Sequence, residues 1–216
     1  MFPYADKADE YWTGYYTSRA NSKSQARFAQ ANLHASNKLF AERVLARDAT
    51  VDETDDLLSA KDAMLDANGI NQHHDAITGT ARQAVADDYV KRISKAMSES
   101  NNEYSRLVSE LAADLGVEAE EWKMCTSTNT TYLDCPIQDN ENSFVIAAHN
   151  PAAVAQKVTR AKLPPASSYK VQAYNAHAGV WDDAPTSLIC MAYMENTIVP
   201  SNTSTCELYI DAMIPA

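Results

Sequence analysis

The stretch Asn68–Ile93, NGINQHHDAITGTARQAVADDYVKRI, sets two histidines and an aspartate between the end of one helical pattern and the start of the next. Ahead of it, Leu57, Leu58, Met64 and Leu65 share a helical face. "TVDE", Thr50–Glu53, reads as the capping box that starts this helix, and Gly69 as the signal that stops it. Behind it, "TARQ", Thr80–Gln83, reads as a second capping box. Ala81, Val85, Tyr89, Ile93 and Met97 follow at a spacing of four, and Tyr104, Leu107, Val108, Leu111 and Leu115 continue the apolar face. Farther upstream, Leu33, Phe40 and Val44 recur at helical spacing. Between Ser18 and Leu115 there is no proline, and the only glycines are Gly69 and Gly79. Three long amphipathic helices with short connections predict a three-helix bundle, in which the quoted stretch is the connection between helices two and three.

After Trp122 the pattern changes. "SFVIAAHNP" from Ser143, "QKVTRAKLPP" from Gln156, "SYKVQAYNAH" from Ser168 and "LICMAYMENTIVP" from Leu188 are short runs rich in β-branched and aromatic residues, separated by turn residues. The reading is α+β: residues 1–120 form the helical bundle with an N-terminal segment, and residues 121–216 form the start of an antiparallel β-sandwich. With about five or six strands against the roughly seven of a closed sandwich, the β region is expected to be incomplete.

Composition narrows the class. Lys and Arg total 18 against 29 Asp and Glu, a net charge of -11, which opposes a nucleic-acid partner. No apolar run reaches the roughly 20 residues that span a bilayer. "FPYADKADEYW", Phe2–Trp12, has neither the basic start nor the apolar centre of a signal peptide.

The cysteines Cys125, Cys135, Cys190 and Cys206 contain no C-x-x-C. Of their three possible connectivities, the one with two local bridges, Cys125–Cys135 and Cys190–Cys206, suits hairpin-like loops. An N-glycosylation sequon lies inside each bracket, at Asn129 and at Asn202. Sequons beside paired cysteines point to the secretory pathway, the lysosome or the extracellular space.

His73, His74 and Asp75 admit two readings. They can be a hydrogen-bonding knot that satisfies the helix ends on either side. They can equally present imidazole to a metal ion, with the carboxylate orienting it or binding a hydroxyl. Zinc needs three or four ligands, and His73 and His74, being adjacent, would struggle to bind one ion together. None of His34, His149 and His177 is followed two residues later by an aspartate. Most of the ligands are therefore expected from elsewhere. Trp12, with Tyr11, Tyr15 and Tyr16, can form a sugar-stacking wall or a piece of core. Asp87–Asp88 and Glu120–Glu121 read as solvated helix faces. There is no phosphate loop and no G-x-S-x-G.

Two segments carry a resemblance. "FPYAD…YWTGYYTSR", Phe2–Arg19, and "QHHDAITGTARQAVADDY", Gln72–Tyr89, resemble class II α-mannosidases, glycoside hydrolase family 38, with the lysosomal acid enzymes nearest. The resemblance is strong to about residue 120 and architectural beyond; Ala20 departs from it, where many relatives have proline. It implies a retaining zinc-dependent hydrolase that removes terminal α-linked mannose from N-glycans by double displacement on an aspartate nucleophile, aided by a second acid. On that resemblance His74 would be a zinc ligand and Asp75 would bind mannose hydroxyls. His73 would stand behind the ligands, and Trp12 would line the sugar pocket. The one zinc ion would be shared with residues outside this chain. In the family the nucleophile, the acid and a His-x-Asp ligand pair lie in an α/β barrel ahead of the Phe-Pro-Tyr-Ala-Asp segment. The expectation is thus the middle segment of such an enzyme, inactive alone, whose partners are the missing domains or a sister chain. The alternatives are a non-catalytic carbohydrate- or protein-binding module derived from the enzyme, or a structural component of a larger assembly.

Overall fold

The computed structural model describes residues 4–46 and 48–117 continuously. Beyond them it describes 122, 124, 126–127, 133–134, 143–147, 149–154, 156–157, 160–163, 170–175, 178–184, 186–194, 197–200, 206–210 and 213–214. A single 3-10 turn, Gly14–Tyr16, precedes α1 (Ala20–Val44), α2 (Val51–Asn71) and α3 (Gln83–Asp114). The chain forms two compact units, Met1–Tyr104 and Ser105–Ala216, so α3 passes from the first into the second.

The Thr50 box opens α2. Its extended backbone lets the hydroxyl accept from the Glu53 N–H at 3.2 Å, and Asp52 and Glu53 put negative charge on the first turn, where the helix dipole favours it. The Glu53 carboxylate also receives a two-pronged bond from Arg43, Nε at 2.7 Å and Nη2 at 2.8 Å, while Arg43 Nη1 donates to Asp48 at 2.9 Å. The end of α1 is thereby stapled to the start of α2.

The other two signals act differently from the expectation. Gly69 lies inside α2, which runs on to Asn71 before Gln72 and His73 donate back to the Gly69 and Ile70 carbonyls. Thr80 does not cap α3. The helix begins three residues later at Gln83, and the Thr80 hydroxyl donates to the Asp75 carboxylate instead. A side-chain acceptor close in sequence has outcompeted the helix N-terminus. At its far end α3 stops in a Schellman turn. Gly116 has φ +75°, Val117 N–H bonds Ala112 O at 2.8 Å, and Gly116 N–H bonds Ala113 O at 2.8 Å.

The core of the first unit is built from small residues. Ala26 and Ala29 of α1, Met64 and Ala67 of α2, and Ile93 and Ala96 of α3 form one buried cluster, joined by Leu33, Ala63, Met97 and Ile77 from the α2–α3 connection. Alanines let the helix backbones approach closely, and Met64 and Ile93 fill the space left between them. The buried stripe on α2 runs Leu57, Ala60, Met64, Ala67; Leu58 and Leu65, read as part of it, are 41 % and 46 % exposed. A repeat of four residues drifts about 40° per step around a helix. Hence Val85 is exposed while Ile93 is buried.

The second unit is β-rich after α3. Its strands are β1 (Thr126–Ser127), β2 (Leu133–Asp134), β3 (Gln156–Lys157), β4 (Arg160–Leu163), β5 (Gln172–Asn175), β6 (Val180–Asp183), β7 (Thr186–Met194), β8 (Thr197–Pro200), β9 (Cys206–Ile210) and β10 (Met213–Ile214). Six form a sheet in the order β1-β2-β4-β9-β7-β8, antiparallel except at β2–β4; β3 pairs with β10, and β5 with β6. Three helices followed by antiparallel sheet is the fold class read from the sequence. Phe144–Ala147 of the expected "SFVIAAHNP" strand is not in a strand. Asn150 bends the chain directly after that run, its side chain accepting from the Ala152 N–H at 3.0 Å and donating to the Val154 carbonyl at 2.9 Å. The register of β7 against β9 sets Cys190 opposite Cys206. Cys125, Cys135, Asn129 and Asn202 lie outside the described residues.

Met64 has no exposed surface and, with Ile93, fills a cluster whose other buried members are alanines. Met64→Ala is expected to lower stability by about 2–5 kcal/mol, read from urea unfolding. A loss within experimental error would show that the helices collapse to fill the gap.

Candidate functional site

The connection between α2 and α3 is a compact coil whose main-chain groups are bonded mostly within itself. The His73 carbonyl accepts from the N–H groups of Ala76 and Ile77, and the Asp75 carbonyl accepts from those of Thr80 and Ala81, both at 3.1 Å. Gly79 N–H bonds the Ala76 carbonyl, and the Thr78 hydroxyl donates to that of His74. Ile77 anchors the coil in the alanine core.

Carbonyls that point away from the coil are met from the start of α1. Arg19 Nη1 donates to Gly79 O at 2.9 Å and to Ala81 O at 2.6 Å, and Nη2 donates to Gln83 Oε1 at 3.2 Å. Lys23 Nζ donates to Ile77 O at 2.6 Å and to Ser18 O at 2.7 Å. Burial pushes the Lys23 amine below its ordinary range. Gly79 holds φ +78°, and a Cβ there would meet the Ser18 carbonyl oxygen at 2.6 Å. Only glycine meets both demands.

This coil brings three donors together. Single atoms from His73, His74 and Asp75 lie within 4.8 Å of one another. His73 Nε2 is 3.4 Å and His74 Nε2 3.8 Å from Asp75 Oδ2, and the two rings are tilted with centroids 4.2 Å apart. The adjacent imidazoles converge on one carboxylate because the chain turns sharply at the end of α2. His74 is 84 % exposed and the other two are half exposed, so the cluster faces outward. Two imidazoles and a carboxylate at these separations suit a borderline metal ion, with room on the open side for further ligands.

Asp75 Oδ1 accepts from the Thr80 hydroxyl at 2.7 Å. That bond first, and then His74 and His73 beside it, hold the carboxyl below the usual aspartate range. The other oxygen, Oδ2, is turned to the imidazoles.

Trp12 occupies a separate element. Tyr4–Trp12 folds into a small hairpin with an Ala5–Tyr11 bridge and a Trp12 N–H bond to the Tyr4 carbonyl at 2.8 Å. The indole is 56 % exposed and meets Tyr4 edge to face at 5.2 Å, so it is available surface rather than core. His34 is exposed on α1. Asp87 and Asp88 sit on the α3 surface, bonded to Gln83 and Arg92. The sequence reading set His73 behind the ligands; the structure brings its ring as close to the Asp75 carboxylate as that of His74, and the two-residue spacing from His73 to Asp75 was the available signal for that juxtaposition. The same reading missed Arg19 and Lys23.

The sequence pattern of the alpha-mannosidase middle domain matches residues 10–111. A probable alpha-mannosidase of Arabidopsis thaliana is 33% identical over 154 residues, 69% of this chain and 14% of that protein. The lysosomal alpha-mannosidase of Felis catus is 30% identical over 151 residues, 70% of this chain and 14% of its own length. That of Dictyostelium discoideum is 38% identical over 96 residues, 44% and 9% of the two chains. The chain therefore spans only a small part of the curated relatives it matches. Among the described residues, no helix is long and apolar enough to cross a membrane.

Two outcomes test the coil. Gly79→Ala is expected to destabilise the first unit by at least the roughly 1–2 kcal/mol of a left-handed L-residue, read from urea unfolding. An unchanged midpoint would mean that Ser18 moves freely. Because its folded pKa is depressed, Asp75 stabilises the coil above the ordinary aspartate range and loses that effect as pH falls through the folded value. Thr80→Val is expected to raise the Asp75 titration midpoint in a carboxyl-carbon NMR titration, so that the coil loosens at higher pH. A midpoint that stays put would remove Thr80 as the main cause.

Proposed function

Residues 10–111 belong to the alpha-mannosidase middle-domain family, and from that premise we propose that the chain is the middle part of a retaining, zinc-dependent α-mannosidase acting on terminal α-linked mannose of N-glycans. The observation that carries the reading is the convergence of His73, His74 and Asp75 within 4.8 Å on an outward-facing, anchored coil inside the matched segment. A knot that only satisfied the helix ends would not require the His74 imidazole, the most exposed of the three, to stand out from the coil.

On this reading His74 holds the ion, with His73 or Asp75 beside it, and further ligands come from outside this chain. When bound, the ion supplies Lewis-acid polarisation and orientation of sugar hydroxyls. Asp75, oriented by the Thr80 hydroxyl, accepts hydrogen bonds from mannose hydroxyls. Trp12 offers an apolar face to a pyranose ring. The nucleophile and the acid of the two-carboxylate mechanism belong to the remainder of the enzyme. The reading also places the protein in the lysosome or elsewhere in the secretory pathway, with disulfides Cys125–Cys135 and Cys190–Cys206 and glycans at Asn129 and Asn202.

The pure chain is expected to leave an aryl α-mannoside intact. In the enzyme containing this chain, His74→Ala is expected to abolish turnover, and Asp75→Ala to raise KM more than it lowers kcat. Turnover by the pure chain, or full activity of the His74→Ala enzyme, would overturn the assignment. Non-reducing peptide mapping is expected to recover the Cys190–Cys206 link, whose two backbones already stand opposite; a Cys125–Cys206 link or free thiols would contradict it.

A further inference from the structure

We propose that Arg19 and Lys23 are positioning residues for the His73–His74–Asp75 cluster, setting its geometry from the N-terminus of α1 through the main-chain carbonyls of the α2–α3 coil.

The cations engage peptide oxygens. Arg19 spends one terminal nitrogen on two carbonyls, those of Gly79 and Ala81, and the other on the Gln83 side chain; Lys23 spends its amine on the carbonyls of Ile77 and Ser18. A surface cation serving solubility would face solvent or a carboxylate. Four carbonyls drawn to two cations instead fix where a backbone lies.

Arg19 itself is held in an unusual conformation. Its φ of 52° and ψ of 57° are left-handed, a region that non-glycine residues avoid and that persists where the surroundings enforce it. That turn precedes the first residue of α1 and sends the guanidinium across to the coil. The Ser18 carbonyl rests against Gly79, where any Cβ would collide. The two segments thus lock face to face over a separation of about 60 residues.

The lock reaches the cluster by a short path. Arg19 holds the carbonyls on either side of Thr80. Thr80 and Ala81 N–H bond the Asp75 carbonyl, and the Thr80 hydroxyl bonds the Asp75 carboxylate that the two imidazoles face. Moving Gly79–Ala81 moves Asp75 with it. The functional weight of this lock rests on the metal reading proposed above; the lock itself does not.

The test uses the full chain carrying Arg19→Ala, Arg19→Lys, Lys23→Met, His74→Ala and, as control, Arg43→Ala, whose ion pair joins α1 to α2 at their other ends. Amide hydrogen exchange at Thr80 and Ala81 reads the lock, and Zn2+ titration followed by the imidazole NMR signals of His73 and His74 reads its consequence. Arg19→Ala is expected to speed exchange at both amides and to weaken Zn2+ binding by about 10- to 100-fold, the effect of removing a group that orients ligands. Arg19→Lys should recover part of both, and Lys23→Met should show a smaller loss. Arg43→Ala should lower Tm while leaving both readouts at wild-type values. If Arg19→Ala fails to fold, Arg19→Lys and Lys23→Met carry the comparison. Unchanged exchange in the Arg19 and Lys23 variants, or equally fast exchange in Arg43→Ala, overturns the lock. Faster exchange with unaltered Zn2+ affinity overturns its functional role. Zn2+ binding that His74→Ala leaves intact sinks the metal reading instead, and exchange still decides the lock.

Discussion

A connection that turns sharply between two packed helices carries carbonyls that neither helix can satisfy, and the first unit is organised around meeting that demand. Leaving a main-chain carbonyl unpaired at a partly buried position costs on the order of a hydrogen bond, about 1–3 kcal/mol. Here Arg19 and Lys23 reach in from α1 to supply the donors. Because the donors are cationic, each bond is stronger than a neutral one. The consequence is a coil whose path is fixed from outside as well as within, although its side chains at His73, His74 and Asp75 stay open to solvent.

That arrangement requires α1 to pass close to the coil, and the alanine core allows it. With Ala26, Ala29, Ala67 and Ala96 at the three-helix contact, the backbones can approach until the Ser18 carbonyl lies against Gly79. Larger side chains would hold the helices apart and pull Arg19 and Lys23 out of reach. Ile77 completes the junction by inserting the coil's own side chain into the core. Core composition and site geometry are therefore one constraint, linked through helix spacing. The Arg43–Glu53 pair does for the α1–α2 corner what Arg19 does for the coil, but it joins side chain to side chain.

Much of this was legible in the sequence, and the failures share a cause. Thr50 and Thr80 head capping boxes of the same form, yet only Thr50 caps a helix, because Asp75 stands within reach of Thr80. Leu58 and Leu65 fit the apolar period of α2 as well as Leu57 and Met64 do. Which pair is buried depends on where α1 and α3 lie, and periodicity does not contain that. His74 and Asp75 came from their motif. Their convergence with His73 depends on the turn that follows Asn71. Arg19 and Lys23 escaped notice because they bind main-chain oxygens some 54 to 62 residues away, and a carbonyl leaves no signature in residue type. The Phe144–Ala147 run had strand composition, but the Asn150 side chain closes a bend directly after it.

An exposed cluster of donors on a fixed coil has a thermodynamic meaning of its own. Ordering a flexible loop upon binding subtracts from affinity, at roughly 0.5–1.5 kcal/mol for each immobilised side chain. In this chain the coil is ordered by folding, through Ile77, Gly79, Arg19 and Lys23, before any ligand arrives. The donors therefore begin near one another, with the Asp75 carboxylate beside both imidazoles to offset the charge of an incoming cation. Three donors on one outward face leave the opposite hemisphere of an ion open. On the proposed reading, whatever closes that hemisphere must approach from solvent, as a second protein surface with its own ligands, and the exposure of His74 is what makes that approach sterically free. Rigidity behind the donors and openness in front of them are then complementary requirements of a site assembled from two parts.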